Sequence, residues 1–357
     1  MRYLGLQAGR GIAACLVVLH HISGKLVHAQ PDAPLFLGGF FDFGWVGVDF
    51  FFVLSGFIIA HTLSSRPTAQ DFMVRRLIRV YPPFWVAFAG TLLIALLLPS
   101  LRSSVQNFTP WQWVLGITLL PSGHNEPVIG VAWTLHHEVF FYAMAGLWII
   151  APRTVLAVAT VLLAMPLFAA QTTFPSSFFA SALHWEFVFG ILAYLAHRRI
   201  GPRTAGWVCL GGLFWLLVTC ALVTPFNYAE GRLRVFQFGI GFGILALGVA
   251  ALEHQKAVAG QHSAGLLTRL GEKLGEWSFA LYLLHIPIIL ATLKAGAALG
   301  IRGGGLVHGA GMLAFLLCIA AAAIYYRGVE RPLLKKLLAA QHKPLHAMAH
   351  QQNHLEA

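Results

Sequence analysis

The sequence predicts an all-α, polytopic integral membrane protein: a helical bundle of about ten transmembrane helices with both termini cytoplasmic. Three observations predict this. Of 357 residues, 58% are hydrophobic and 10% charged, with a mean hydropathy of +0.72, whereas a soluble domain carries roughly 25% charged residues. Apolar stretches recur from Gly11 to Tyr326 with no polar block long enough to fold independently. The basic residues fall mostly in the short connections between those stretches, and unequally on the two sides.

Windows that cross a ~30 Å hydrocarbon core at 1.5 Å per residue fall at 9–28, 43–63, 80–98, 131–150, 154–170, 178–196, 204–224, 235–252, 277–299 and 306–326. The first follows Arg2 and Arg10 and ends near Val27-His28-Ala29. A cleaved signal peptide would share those features, but His20 and His21 cut its apolar run to nine residues and favour a retained helix. Between the third and fourth windows a long loop runs from Pro99 to Gly130. Its apolar stretch WQWVLGITLLP, 111–121, is too short to span and is read as interfacial or re-entrant. The domain division that follows is one membrane domain over 1–332 and a cytoplasmic polar tail over 333–357. In that tail His342, His346, His350 and His354 are spaced four apart, as a metal-binding stripe or, in the simpler reading, a solvated face.

With the termini inside, eighteen of the 24 lysines and arginines lie on the cytoplasmic side. Lys25, Arg102, Arg232, Arg234, Lys294 and Arg302 lie outside. Were 111–121 a crossing, every later loop would change sides and the bias would vanish, so an even count is favoured. Topology therefore accounts for the net charge of +11 without a nucleic-acid partner. Cys15, Cys209, Cys220 and Cys318 are far apart within apolar runs, so neither a disulfide framework nor a metal site is indicated.

Ionisable side chains inside spans are costly and mark candidate functional sites. Arg10 opens the first helix and His21 follows eleven residues later, roughly 16 Å deeper. Asp49 in GWVGVDFFFVLSGFII and Glu138 in AWTLHHEVFFY enter from the outer side and are expected at the same depth. A histidine and two carboxylates in one layer suit a general base with an orienting acid. They equally suit a structural polar cluster between helices. At the inner face Arg75, Arg76 and Arg79 begin the third helix in DFMVRRLIRVYPP and, with Arg10, could form a basic mouth for a phosphorylated ligand. Arginines flanking a span on the inside are also what topology alone requires.

In order along the chain, RGIAACLVVLHH from Arg10, GWVGVDFFFVLSGFII from Gly44, FMVRRLIRVYP from Phe72, WTLHHEVFFY from Trp133, GEWSFALYLLH from Gly275 and VERP from Val329 resemble the membrane-bound acyltransferase family 3. That family includes O-antigen, nodulation-factor and exopolysaccharide O-acetyltransferases. Its arginine, ten residues, histidine signature falls on Arg10 and His21, not His20. The block WTLHHEVFFY departs from the commoner form: Val139 stands where a second acid is usual, which leaves Glu138 as the block's acid and is most similar to the exopolysaccharide branch.

The resemblance implies a bacterial inner-membrane enzyme that moves an acyl group, acetyl by family expectation, from cytosolic acyl-CoA to a hydroxyl of a surface or exported carbohydrate. The acceptor is expected to be handled by the membrane domain or by a separate protein. No metal is implied, and the oligomeric state is left open between monomer and homo-oligomer. The expected roles are Arg10, Arg76 and Arg79, with Arg75 beside them, on the coenzyme A phosphates. His21 is then general base, with Asp49 or Glu138 orienting its imidazole. An acyl-histidine intermediate remains the alternative chemistry. Two further readings stand beside this one. One is a glycan or small-solute transporter or flippase using His21, Asp49 and Glu138 as a proton relay. The other is a non-catalytic membrane scaffold.

Overall fold

The structure is a computed structural model that describes residues 3–29, 36–97, 108–121, 123, 128–168, 173–223, 232–260, 265–300 and 303–341. Among these the regular elements are all helical, and eight helices are long and apolar enough to cross a membrane. The main helices are α1 (Leu4–Ala29), α2 (Gly47–Leu63), α3 (Ala69–Leu97), α4 (Pro110–Thr118), α5 (Trp133–Ile150), α6 (Pro152–Phe168), α7 (His184–Ala196), α8 (Pro202–Leu222), α9 (Ile240–Val258), α10 (Leu266–Ala298), α11 (Gly304–Tyr325) and α12 (Arg331–Gln341). Among the described residues each of the ten apolar windows is mainly helical, the window 178–196 being shared by the short helix Ser176–Phe179 and α7. The two outside the group of eight are α5, whose hydropathy is diluted by His136, His137 and Glu138, and α6, which has 17 residues. The histidine stripe from His342 onward lies outside the described residues.

Helix α4 is the short segment of the long loop. Thr109 caps it in a reciprocal box with Gln112, Pro110 fills its first turn, and Leu119 ends it in the left-handed region at φ 52°. Nine residues rise about 14 Å, less than half a bilayer core. Tyr81 and Trp85 of α3 donate to the Thr118 and Ile117 carbonyls, at 2.7 and 2.9 Å, and so occupy acceptors that a helix C-terminus leaves open.

Two helices extend beyond their apolar windows. Helix α3 begins at Ala69, where the Thr68 hydroxyl accepts from the Asp71 amide at 3.1 Å, and continues through Pro82 and Pro83. Those prolines lack N–H groups, so the carbonyls of Ile78 and Arg79 receive no intrahelical bond from them. Helix α10 begins at Leu266 and carries GEKLGE as helix before its apolar part.

Helices α1 and α10 run parallel. Arg10 meets Gly275 near one end, and His21 meets His285 ten or eleven residues further along both. Small residues allow the approach. A β-carbon on Gly11 would lie 2.6 Å from the Gly275 nitrogen, and one on Gly271 would lie 2.6 Å from the Ala8 β-carbon. The structure therefore predicts that Gly275→Val forces the two backbones apart. Overpacking of this kind costs about 1–3 kcal/mol. It should appear as a lower Tm of the purified protein in detergent, and an unchanged Tm would contradict so close a contact.

Candidate active site

A cavity of about 270 Å³ lies between α1, α2, α3, α5 and α10. At one end its lining includes Arg10 from α1 and Arg76 and Arg79 from α3. Glu138 and Tyr142 of α5 occupy the middle, and Thr134 of α5 with Tyr282 of α10 close the far end. The expected basic mouth is thus assembled by two helices far apart in sequence. Arg75 is not part of it: it is exposed and lies off the cavity lining.

Arg10 and Arg76 are each held from behind, whereas Arg79 is exposed. The Arg10 guanidinium donates to the Gly275 carbonyl through Nε at 3.1 Å and through Nη2. Arg76 donates to the Thr62 hydroxyl and lies 5.5 Å from the ring centroids of Phe72 and Tyr142. Glu330, 3% exposed in the π-helical turn Tyr326–Glu330 before α12, lies within electrostatic reach of Arg79 and Arg10. Glu330, the acid of the VERP block, lies off the cavity lining and was not singled out in the sequence.

Glu138 accepts a hydrogen bond from Tyr142, one turn along the same helix. At the far end the Tyr282 hydroxyl donates to the Val131 carbonyl at 2.7 Å and lies 2.8 Å from the Thr134 hydroxyl. These bonds set the level of the cavity roof.

His21 and His285 stand beyond that roof. The His21 Nδ1 lies 2.9 Å from the Val17 carbonyl and 3.3 Å from Nε2 of His285. His285 is one turn past Tyr282, with ring centroids 5.8 Å apart. The single layer expected for His21, Asp49 and Glu138 is corrected here. From the Thr134–Tyr282 level, Glu138 is four residues toward the arginines and His285 three residues away from them. At 1.5 Å per residue this separates Glu138 from the histidine pair by about 10 Å along the bundle. Neither carboxylate is positioned to orient His21, and the group beside it is a second imidazole.

Asp49 is turned to another part of the bundle. Fully buried, it receives Nε and Nη2 of Arg234 at 3.0 and 2.9 Å, and that guanidinium lies 4.3 Å from the Trp45 ring centroid. The carboxyl of Glu186, also fully buried, adjoins it. Val48, Phe51, Phe52, Leu54, Ser55, Ile58 and Ile59 are the α2 residues that line the cavity, and Asp49 is not among them. His137 is likewise structural: its Nδ1 pairs with Nε2 of His184 at 3.1 Å, and its ring stacks on Phe178 at 4.5 Å.

Among the described residues no group of three or more His, Cys, Asp or Glu side chains is arranged to hold a metal ion.

A family model described as an acyltransferase domain matches residues 3–327. The chain is 30% identical over 315 residues to the exopolysaccharide production protein ExoZ of Rhizobium meliloti (strain 1021), covering 84% of this chain and 92% of that protein. It is 26% identical to the acyltransferase MdmB of Streptomyces mycarofaciens, covering 94% and 93%. It is 25% identical to nodulation protein 10 of Rhizobium leguminosarum bv. viciae, covering 91% and 92%. No solved structure matches the chain.

Proposed function

Because the chain belongs to the acyltransferase domain family and is a multi-pass membrane acyltransferase, we propose that it moves an acyl group, acetyl by family resemblance, from cytosolic acyl-CoA to a hydroxyl of an exported or surface carbohydrate. Family membership sets aside the transporter and scaffold readings. The name of the relative ExoZ supports an exopolysaccharide acceptor, and a bacterial inner membrane is the setting such an acceptor implies.

The observation that carries the proposal is the convergence of Arg10, Arg76 and Arg79 on one cavity between five helices. Guanidinium groups donate paired hydrogen bonds that match phosphate oxygens. At about 270 Å³ the cavity lies near the lower end of the ~300–1,000 Å³ usual for ligand pockets. It suits a slender pantetheine arm, with the nucleotide left at the arginine mouth. The thioester then arrives under Phe51, Thr134 and Tyr282, and the acceptor hydroxyl approaches from beyond that roof.

His21 takes the hydroxyl proton as the oxygen bonds to the thioester carbon. The C–S bond breaks, and the coenzyme A thiolate recovers the proton from the imidazolium. The presence of Glu138 inside the cavity favours a second reading, in which its carboxylate is the base.

Steady-state kinetics of purified protein tests the donor site. Arg76→Gln and Arg79→Gln are each expected to raise KM for acetyl-CoA about tenfold or more, the loss of one hydrogen bond to a charged group. Neither should affect an acetyl thioester of N-acetylcysteamine, which has no phosphate. Equal effects on both donors would remove the phosphate-binding role. If Glu138 is the base, Glu138→Gln should remove turnover and His21→Ala should spare it.

A further inference from the structure

The pairing of His21 with His285 carries a consequence for which nitrogen does the chemistry. We infer that His285 is a positioning residue for the transfer reaction: with the Val17 carbonyl it holds the Nδ1–H of His21, so that the ring is oriented with Nε2 carrying the lone pair that receives the acceptor proton. The inference rests on the proposed role of His21 as base and adds to it a second residue and a defined protonation pattern.

Two backbone carbonyls, which cannot donate, face Nδ1 of His285. The His285 Nδ1 lies 2.7 Å from the Tyr282 carbonyl and 3.2 Å from the Leu281 carbonyl. A carbonyl oxygen only accepts, so this nitrogen bears a hydrogen. The His21 Nδ1 lies 2.9 Å from the Val17 carbonyl and by the same logic also bears a hydrogen.

The two rings meet through Nδ1 of His21 and Nε2 of His285 at 3.3 Å. Two N–H groups cannot point at each other and form a bond, so Nε2 of His285 is the acceptor and His285 is neutral. The His21 hydrogen is then shared between a carbonyl and an imidazole lone pair. Its remaining nitrogen, Nε2, is unprotonated and free to accept.

An imidazole orienting another imidazole differs from the usual carboxylate in one respect that matters in a bilayer. A neutral orienting group avoids burying an uncompensated negative charge in a low-dielectric interior. When His21 becomes an imidazolium, its Nδ1–H bond to His285 becomes charge-assisted and strengthens. The pair therefore stabilises the charge that develops in the reaction.

His285 is fully buried, and its backbone carbonyl is approached by the Cys318 Sγ at 3.8 Å. Parallel packing of α1 and α10 sets the register.

The experiment compares His285→Leu, which keeps bulk but removes the acceptor, with His285→Gln, which returns an acceptor oxygen near the Nε2 position. His285→Leu is expected to lower kcat on the order of 100-fold, the low end of what a correctly placed base contributes, with KM for acetyl-CoA within twofold. His285→Gln should recover at least tenfold of that loss. In a His21→Ala background the Leu substitution should cause no further loss.

Wild-type kcat in His285→Leu beside an inactive His21→Ala overturns this inference alone. Full activity in His21→Ala overturns the reading on which it rests. If His285→Leu fails to fold, nitrogen-15 NMR of the wild-type protein labelled at histidine decides. A His21 Nδ1–H beside an unprotonated His285 Nε2 supports the inference, and a protonated Nε2 on His285 overturns it.

Discussion

Replacing His21 by alanine is expected to lower kcat for acyl transfer by about 10² to 10⁴, the usual contribution of a positioned base, while KM for acetyl-CoA stays near its starting value. The split follows from geometry. The arginines that would hold the phosphates line the cavity, whereas His21 lies past its roof, next to His285. Removing the imidazole therefore leaves donor binding intact and takes away only what acts on the acceptor proton.

The adjacent His20→Ala is the internal control. The His20 Nδ1 lies 2.9 Å from the Asp42 carbonyl, and the Ser23 hydroxyl donates to the Asp42 carboxylate at 2.6 Å. This links α1 to the turn before α2 and gives His20 a holding role, so its loss should cost far less turnover. Equal losses at the two positions would argue against a base at His21. If the reaction passes through an acyl-histidine, rapid quenching and mass spectrometry should find the acyl mass on the peptide containing His21, and His21→Ala should abolish it.

The largest expected loss of stability is at Asp49. Asp49→Leu removes both hydrogen bonds from Arg234, whose side chain is 17% exposed, and leaves a guanidinium in the bundle without its bidentate partner. Breaking a buried pair from one side costs about 3–5 kcal/mol. The expected observation is a large drop in Tm in detergent, with lower yield from membranes. The double variant Asp49→Leu with Arg234→Met should regain most of the loss, because removing both charges leaves neither unpaired. A single variant with unchanged Tm, or a double variant worse than the single, would show that the pair does not hold the fold together. Asp49 serves here as a tether between α2 and the segment before α9, which explains an acid in the middle of GWVGVDFFFVLSG without giving it a catalytic role.

Much of the site was legible before any coordinates. The spacing from Arg10 to His21 placed one near the mouth and the other deep in the bundle, because a helix converts residue count into depth. Arg76 and Arg79, three apart, were expected on one face, and both line the cavity. His285 was missed although a signal existed: it ends the block GEWSFALYLLH ten residues after Gly275, as His21 follows Arg10 by eleven. Two parallel helices in contact at Arg10 and Gly275 must bring those histidines level. Glu138 does not share the level of the histidine pair, because counts from the ends of different helices give equal depths only where those helices begin in one plane. The Thr134–Tyr282 bond shows that α5 and α10 are offset.

What the sequence determined by itself is everything that follows from distance along one helix: an all-helical membrane bundle, a short loop helix that does not cross, a basic end, and a histidine about 16 Å above Arg10. What only the tertiary structure decided is which side chains from different helices meet. It turned Asp49 toward Arg234, put Glu138 in the cavity with the arginines, and gave His21 an imidazole as its neighbour. The physical reason is that helix period fixes rise and rotation within a segment. Rotation and offset between segments are set by packing, here by glycine contacts and partly buried hydrogen bonds such as that between Arg10 and Gly275, 265 positions apart.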